Sequence, residues 1–114
     1  MAEGKTVVVI ASECLGNGQD DLGKQLMKAY LFSLSQAENL PQLILFYNTG
    51  AKLVAEGAET VEDLKKLEEA GVEIRTCGTC AGYFELKEKI AVGTITNMQD
   101  IVNEQLNAAK VVRP

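Results

Sequence analysis

Cys77 and Cys80, separated by Gly78 and Thr79, are the residues of this chain best equipped for covalent chemistry. They close a short β-like run, Val72 to Thr76, so Cys77 falls where a strand stops and Cys80 where a helix can start. Free amides and the dipole at a helix N-terminus favour a thiolate, the nucleophilic form of cysteine. The chain contains no histidine, which removes Ser-His-Asp and Cys-His mechanisms. It offers three thiols and no imidazole where a structural zinc site usually needs four Cys or His ligands. No metal and no cofactor are therefore expected.

Several uses of such a pair compete. A thioredoxin-type dithiol would sit near the first strands, often with Trp and a cis-Pro. This chain has no Trp, and Pro41 and Pro114 are badly placed for that role. A persulfide carrier instead needs one exposed, acidic thiol with amides nearby and no general base. The missing histidine suits that mechanism, with Cys77 as carrier and Cys80 assisting. A dithiol redox switch remains open, as does the bland reading of two small buried hydrophobes. Cys14, alone after the first apolar run, reads as a partly buried cysteine without a mechanism.

The elements that must position these residues alternate between strand and helix. Thr6 to Ala11 and Leu43 to Tyr47 are continuous apolar runs, as strands buried on both faces require. Between them, Asp20 or Asp21 can cap a helix whose apolar stripe runs through Leu22, Leu26, Tyr30 and Leu34, with Met27 and Leu31 beside it. A short helix over about Ala51 to Ala55 follows the second strand. Thr60 then caps another helix, through Val61, Leu64 and Leu67, closed by Gly71 at C′. Val72 to Thr76 is the third strand, and Thr79 to about Lys87 reads as helix despite Gly82. Ala91 to Gly93 suggests a fourth strand. Thr96-x-x-Gln99 resembles a capping box before a helix with Met98, Ile101, Val102 and Ala109 on one face. Val111-Val112 suggests a last edge strand.

This order predicts an α/β fold: one three-layer domain over residues 1–114, with a central, mostly parallel sheet of four to five strands between helices. Sites in such sheets form from the loops at the carboxyl ends of the strands. Three loops qualify: Glu13 to Asp20, Asn48 to Lys52, and Cys77 to Tyr83. They supply the candidate substrate-binding residues Gly16, Asn17 and Gly18, then Asn48, Thr49 and Gly50, then Gly78 and Thr79. Tyr83 and Phe84 read as packing. Gly18 to Lys24 matches the GxxxxGK core of a phosphate loop. However, Gln25 stands where Ser or Thr should hold Mg²⁺, and Asp20 and Asp21 put negative charge inside the cradle. Gly23 reads as a close-packing position instead.

The 114 residues suit a single core. A net charge of −5 argues against a nucleic-acid surface, and no apolar run of about 18 residues exists to span a membrane. The run Val7 to Ala11 is too short for a signal-peptide core, so the protein is expected in the cytoplasm, where thiols stay reduced.

Taken together, Val7 to Ser12, Leu15-Gly-x-Gly, Asp21-Leu-Gly-Lys-x-Leu-Met27, Phe46 to Leu53, Gly71-Val-Glu-Ile, Cys77-Gly-Thr-Cys80 and Val92-Gly-x-Ile-x-Asn-Met98 resemble the DsrE/DsrF/TusD-like superfamily. They are most similar to the DsrE-like domain of YedF-type proteins, described as sulfurtransferase-like and linked to selenium metabolism. The resemblance spans nearly the whole chain. It implies a cysteine after a sheet strand that carries sulfur, matching Cys77, with Cys80 as an extra thiol. It also implies a homo-oligomer (dimer, trimer or hexamer) and sulfur-relay partners such as a TusA-like donor. YedF-type proteins often carry a TusA-like domain ahead of this one. Here the sequence opens at the first strand, so that domain is expected to be missing or to lie outside it. The expected function is a sulfur or selenium carrier; the alternative is a non-catalytic oligomeric module binding a small anion or a protein.

Overall fold

A computed structural model describes residues 4–114, and its first element follows from the β-branched run after Lys5. Thr6–Ile10 forms β1, with Val7 to Ile10 all buried. β1 pairs in parallel with β2 (Leu43–Phe46) on one side and with β5 (Lys110–Val112) on the other. Parallel pairing continues from β2 to β3 (Glu73–Cys77) and from β3 to β4 (Thr94–Thr96). The sheet order is β4-β3-β2-β1-β5, and every pair in it is parallel.

Alternation along the strands divides the core. Val8, Ile10, Ile44, Phe46 and Ile74 pack against α1 (Asp20–Ser35), the 3₁₀ turn Asn48–Val54 and α2 (Val61–Glu69). Val7, Val9, Leu43, Leu45 and Cys77 face Ile101 of α4 (Met98–Asn107). The short α3 (Gly78–Tyr83) stands at the end of β3 against the 3₁₀ turn. Among the described residues no helix is long and apolar enough to cross a membrane.

Several local expectations are displaced. On α1 the buried line is Gly23, Met27 and Leu31, while Leu22 and Leu26 are exposed. A Cβ on Gly23 would stand 2.6 Å from the Cys14 Cβ; the bare glycine lets the helix approach there and turns its i+4 and i+8 residues inward. Gln19 holds the N-cap position, so Asp20 and Asp21 sit in the first turn, where they favour the helix dipole. Thr60 precedes α2 as expected, but its hydroxyl donates to the Leu53 carbonyl at 2.7 Å instead of capping. Gly71 closes α2 at φ +102°, with its N–H on the Glu68 carbonyl and that of Val72 on the Leu67 carbonyl.

The segments after β2 differ most. The predicted helix at Ala51–Ala55 is a 3₁₀ turn that begins at Asn48. α3 stops at Tyr83, because Glu85 turns left-handed at φ +58°. Ala91–Gly93 is not a strand: Ala91 donates to the Val54 carbonyl at 2.8 Å, and Gly93 turns at φ +77° where Ile74 leaves no room for a Cβ. β4 starts only after that turn. The cap of α4 is Asn97 rather than Thr96; its side chain accepts from the Asp100 N–H at 2.8 Å. Ile101 is the buried residue of α4, Met98 and Val102 are exposed, and Ala109 lies beyond the helix.

Candidate functional site

Cys77 is the last residue of β3, and its side chain points into the apolar layer beneath α4. It is 2 % exposed. The same residue is the N-cap of α3, so strand end and helix start coincide on one sulfur. Gly78 permits that junction: a Cβ there would meet Ile95 at 3.1 Å and the Thr96 carbonyl at 3.2 Å. Burial opposes ionisation of Cys77 most strongly. The amides of Thr79 and Cys80, with the Thr79 hydroxyl and the Cys80 thiol, outweigh it and hold the thiol below its ordinary value.

Cys80 is half-buried; its thiol lies within hydrogen-bond reach of Cys77 and also lines a cavity of about 460 Å³. Its sulfur accepts a hydrogen bond from the Asn48 N–H at 3.0 Å. Burial raises the Cys80 thiol; the Asn48 amide lowers it, but the neighbouring Cys77 raises it further and the net direction is up. The two thiols therefore differ in kind. Cys77 is the more acidic and enclosed, Cys80 the more accessible and protonated.

Of the residues expected at the site, Cys77, Gly78, Thr79, Cys80 and Asn48 come together. Asn48 and Thr79 line the Cys80 cavity directly. Thr49 and Gly50 stand one step back. The Thr49 hydroxyl accepts from the Glu13 N–H at 3.1 Å, and Gly50 packs under the Ile10 carbonyl, where a Cβ would collide. Gly16 and Asn17 line a separate cavity of about 230 Å³, together with Ser12, Cys14 and Arg113. Gly18 continues that loop at φ +132°. Gly23 and Lys24 lie inside α1 rather than at its start, so the GxxxxGK match builds no phosphate cradle.

The remaining wall of the Cys80 cavity was not legible as a site. It consists of Tyr47, Tyr83, Phe84 and Met98. Tyr83 is 81 % exposed and Met98 51 %; the Tyr83 and Phe84 rings meet edge to face at 5.0 Å. Two aromatic residues directly after the CxxC were the available signal. Met98 reaches the cavity only because β4 brings the start of α4 alongside β3.

The model of the DsrE/DsrF-like family matches residues 5–114. The chain belongs to the DsrE/DsrF-like family. Solved structures repeat the fold of this DsrE/DsrF-like chain. The YchN protein of E. coli superposes with a TM-score of 0.73 at 18 % identity, over 97 % of this chain and 99 % of that one. A protein of unknown function from Methanobacterium thermoautotrophicum gives 0.72 at 16 %, over 98 % and 100 %. Another, from Bacteroides thetaiotaomicron, gives 0.66 at 16 %, over 96 % and 95 %. At such identities the likeness is one of fold. No curated protein matches the chain.

Proposed function

We propose that this DsrE/DsrF-like protein carries sulfane sulfur, or its selenium analogue, on the Cys77–Cys80 pair. The observation that carries the reading is the division between the thiols: one acidic and enclosed, the other facing an open cavity. The family's association with sulfur relay supports it. Sulfur enters at Cys80, which passes its proton to the Cys77 thiolate and then attacks the outer sulfur of a donor persulfide R–S–SH. The new Cys80–S bond forms as the donor's S–S bond breaks, the persulfide proton stays on the transferred sulfur, and R–S⁻ takes the proton back from Cys77 and leaves as R–SH. The Cys77 thiolate then takes the same sulfur from Cys80, which is restored as thiolate. No electrons are gained or lost, so no disulfide and no reductant are needed.

Incubation with a small organic persulfide, followed by intact mass and peptide mapping, tests this. The protein should gain the mass of one sulfur at Cys77. Cys80→Ser should slow the gain, and Cys77→Ser should abolish the stable gain. No gain in the unaltered chain, or an undiminished gain in the double variant, overturns the proposal. A TusA-like protein is the donor class this reading implies. Exposed Leu22, Leu26 and Phe32 on α1, and Val102 and Leu106 on α4, support the accompanying homo-oligomer, which light scattering checks.

The enclosure of Cys77 favours a second reading, in which the aromatic cavity binds a partner without sulfur transfer. Binding that survives substitution of both cysteines would support it.

A further inference from the structure

The turn after β2 begins with a residue in an uncommon conformation. Asn48 has φ +53°, a left-handed backbone that is strained for most side chains and that Asn tolerates better than any β-branched residue. Its N–H leaves the sheet toward α3 and donates to the Cys80 sulfur, 32 residues away in sequence, at 3.0 Å. The next groups are engaged elsewhere. The Gly50 N–H donates to the Tyr47 carbonyl at 3.0 Å, and the Thr49 hydroxyl accepts from Glu13.

We propose that Asn48 is a positioning residue for the thiol pair: its left-handed backbone, not its side chain, aims the N–H that holds the Cys80 sulfur at the cavity wall. A donor placed there stabilises negative charge on Cys80 when it ionises. While Cys80 stays protonated, the same bond polarises its S–H and makes it a better donor toward Cys77. The titratable groups facing Cys80 are Cys77 and the phenols of Tyr47 and Tyr83. The charge near this wall is Lys52, whose Nζ stands 4.8 Å over the Phe84 ring and 3.6 Å from a Glu13 oxygen. The consequence for sulfur uptake rests on the carrier reading above; the thiol acidity itself does not.

The test compares Asn48, Asn48→Gly and Asn48→Val in a Cys77→Ser background. The readout is Cys80 alkylation by iodoacetamide across pH, followed by peptide mass. Glycine accepts the left-handed backbone, so its pH profile should coincide with that of Asn48. Valine resists that backbone; its profile should move to higher pH, with alkylation at neutral pH roughly fivefold slower. Equal shifts in both variants would assign the effect to the side chain and overturn the proposal, as would an unmoved valine profile. Should the valine variant fail to fold, the amide resonance of Asn48 in the unaltered protein decides. It should follow the titration of the thiols, and a resonance that stays fixed while they ionise overturns the proposal. Neither readout involves a persulfide, so failure of the carrier reading leaves both interpretable.

Discussion

Cys14 and Cys80 both line cavities at the carboxyl edge of the sheet, yet their sulfurs are wired in opposite senses. The Cys14 thiol is a donor, reaching the Asp20 carbonyl at 3.5 Å. The Cys80 sulfur is an acceptor for the Asn48 N–H, and beside it Cys77 faces the amides that open α3. At Cys80 the amide favours loss of the proton, but burial and the neighbouring Cys77 keep the net direction of that thiol upward. The walls differ as well: each has a thioether, but Ser12, Asn17 and Arg113 join Met27 around Cys14, whereas aromatic rings join Met98 around Cys80. Proximity to the sheet edge therefore does not give two cysteines the same surroundings; the polarity of their partners differs.

The largest break in this contrast should come from Gly50→Ala. The 3₁₀ turn reaches the Cys80 wall through Asn48 and rests on β1 through Gly50, where a Cβ would collide with the Ile10 carbonyl. Backbone cannot yield there as a side chain could. Overpacking of this kind should cost about 3 kcal/mol, read as a fall in the urea midpoint. Because the turn must shift to fold at all, Cys80 should also lose its amide partner and its alkylation profile should move. An alanine variant of unchanged stability would mean that the turn is not what holds the two regions in register.

Arg75→Ala should have the next effect and act on the Cys77 side alone. Arg75 lies two residues before Cys77 on the same face and bonds Asp100 at 2.8 Å, Glu104 at 2.7 Å and Glu73 at 2.9 Å. Its side chain is largely buried, so its loss should cost about 2 kcal/mol. Asp100 and Glu104 are held below their ordinary values of 3.8 and 4.5. For Asp100 the Thr96 hydroxyl leads and Arg75 adds to it; for Glu104 burial opposes ionisation, and Arg75 and Lys5 outweigh it. Depressed carboxylates contribute stability that is present above those ordinary values and is lost as pH falls through the folded ones. The unaltered chain should thus lose stability as pH drops below about 4, and Arg75→Ala should lose less over the same interval. Among the described residues, the contacts of this kind in the loop at Cys14 are longer, Glu13 with Lys24 at 4.0 Å and Lys52 at 3.6 Å. Both lysines are substantially exposed, and such pairs contribute little.

What could be read in advance follows the same division. Val7 to Ile10 and Leu43 to Phe46 announce buried parallel strands, and the CxxC announces its strand-to-helix junction, because these signals are local and strongly patterned. The inward face of α1 was not readable from spacing, since Leu22 and Leu26 fit the helical period as well as Met27 and Leu31 do. What selects between them is the approach of Gly23 to Cys14, a contact across a loop. The grouping of the three loops was hidden for a related reason. Sequence order puts Gly16, Asn17 and Gly18 at a strand end, but only the sheet order β4-β3-β2-β1-β5 separates that end from β3 by the width of β2. Asn48, by contrast, carried a usable signal: Asn-Thr-Gly directly after a buried strand marks a turn where a left-handed residue is tolerated.

The smallest expected effect belongs to Cys14→Ser, and it tests the comparison from the other side. A serine hydroxyl can keep donating to the Asp20 carbonyl, and it is no larger than the thiol that Gly23 packs against. The cost should be about 1 kcal/mol or less, seen as a small shift in the urea midpoint. Sulfur uptake by Cys77 and Cys80 should be unchanged, because no described hydrogen bond joins Cys14 to either of them. If Cys14→Ser instead lowered uptake as far as Cys77→Ser does, the two cavities would be one functional unit. The donor-versus-acceptor distinction drawn between their sulfurs would then lose its meaning.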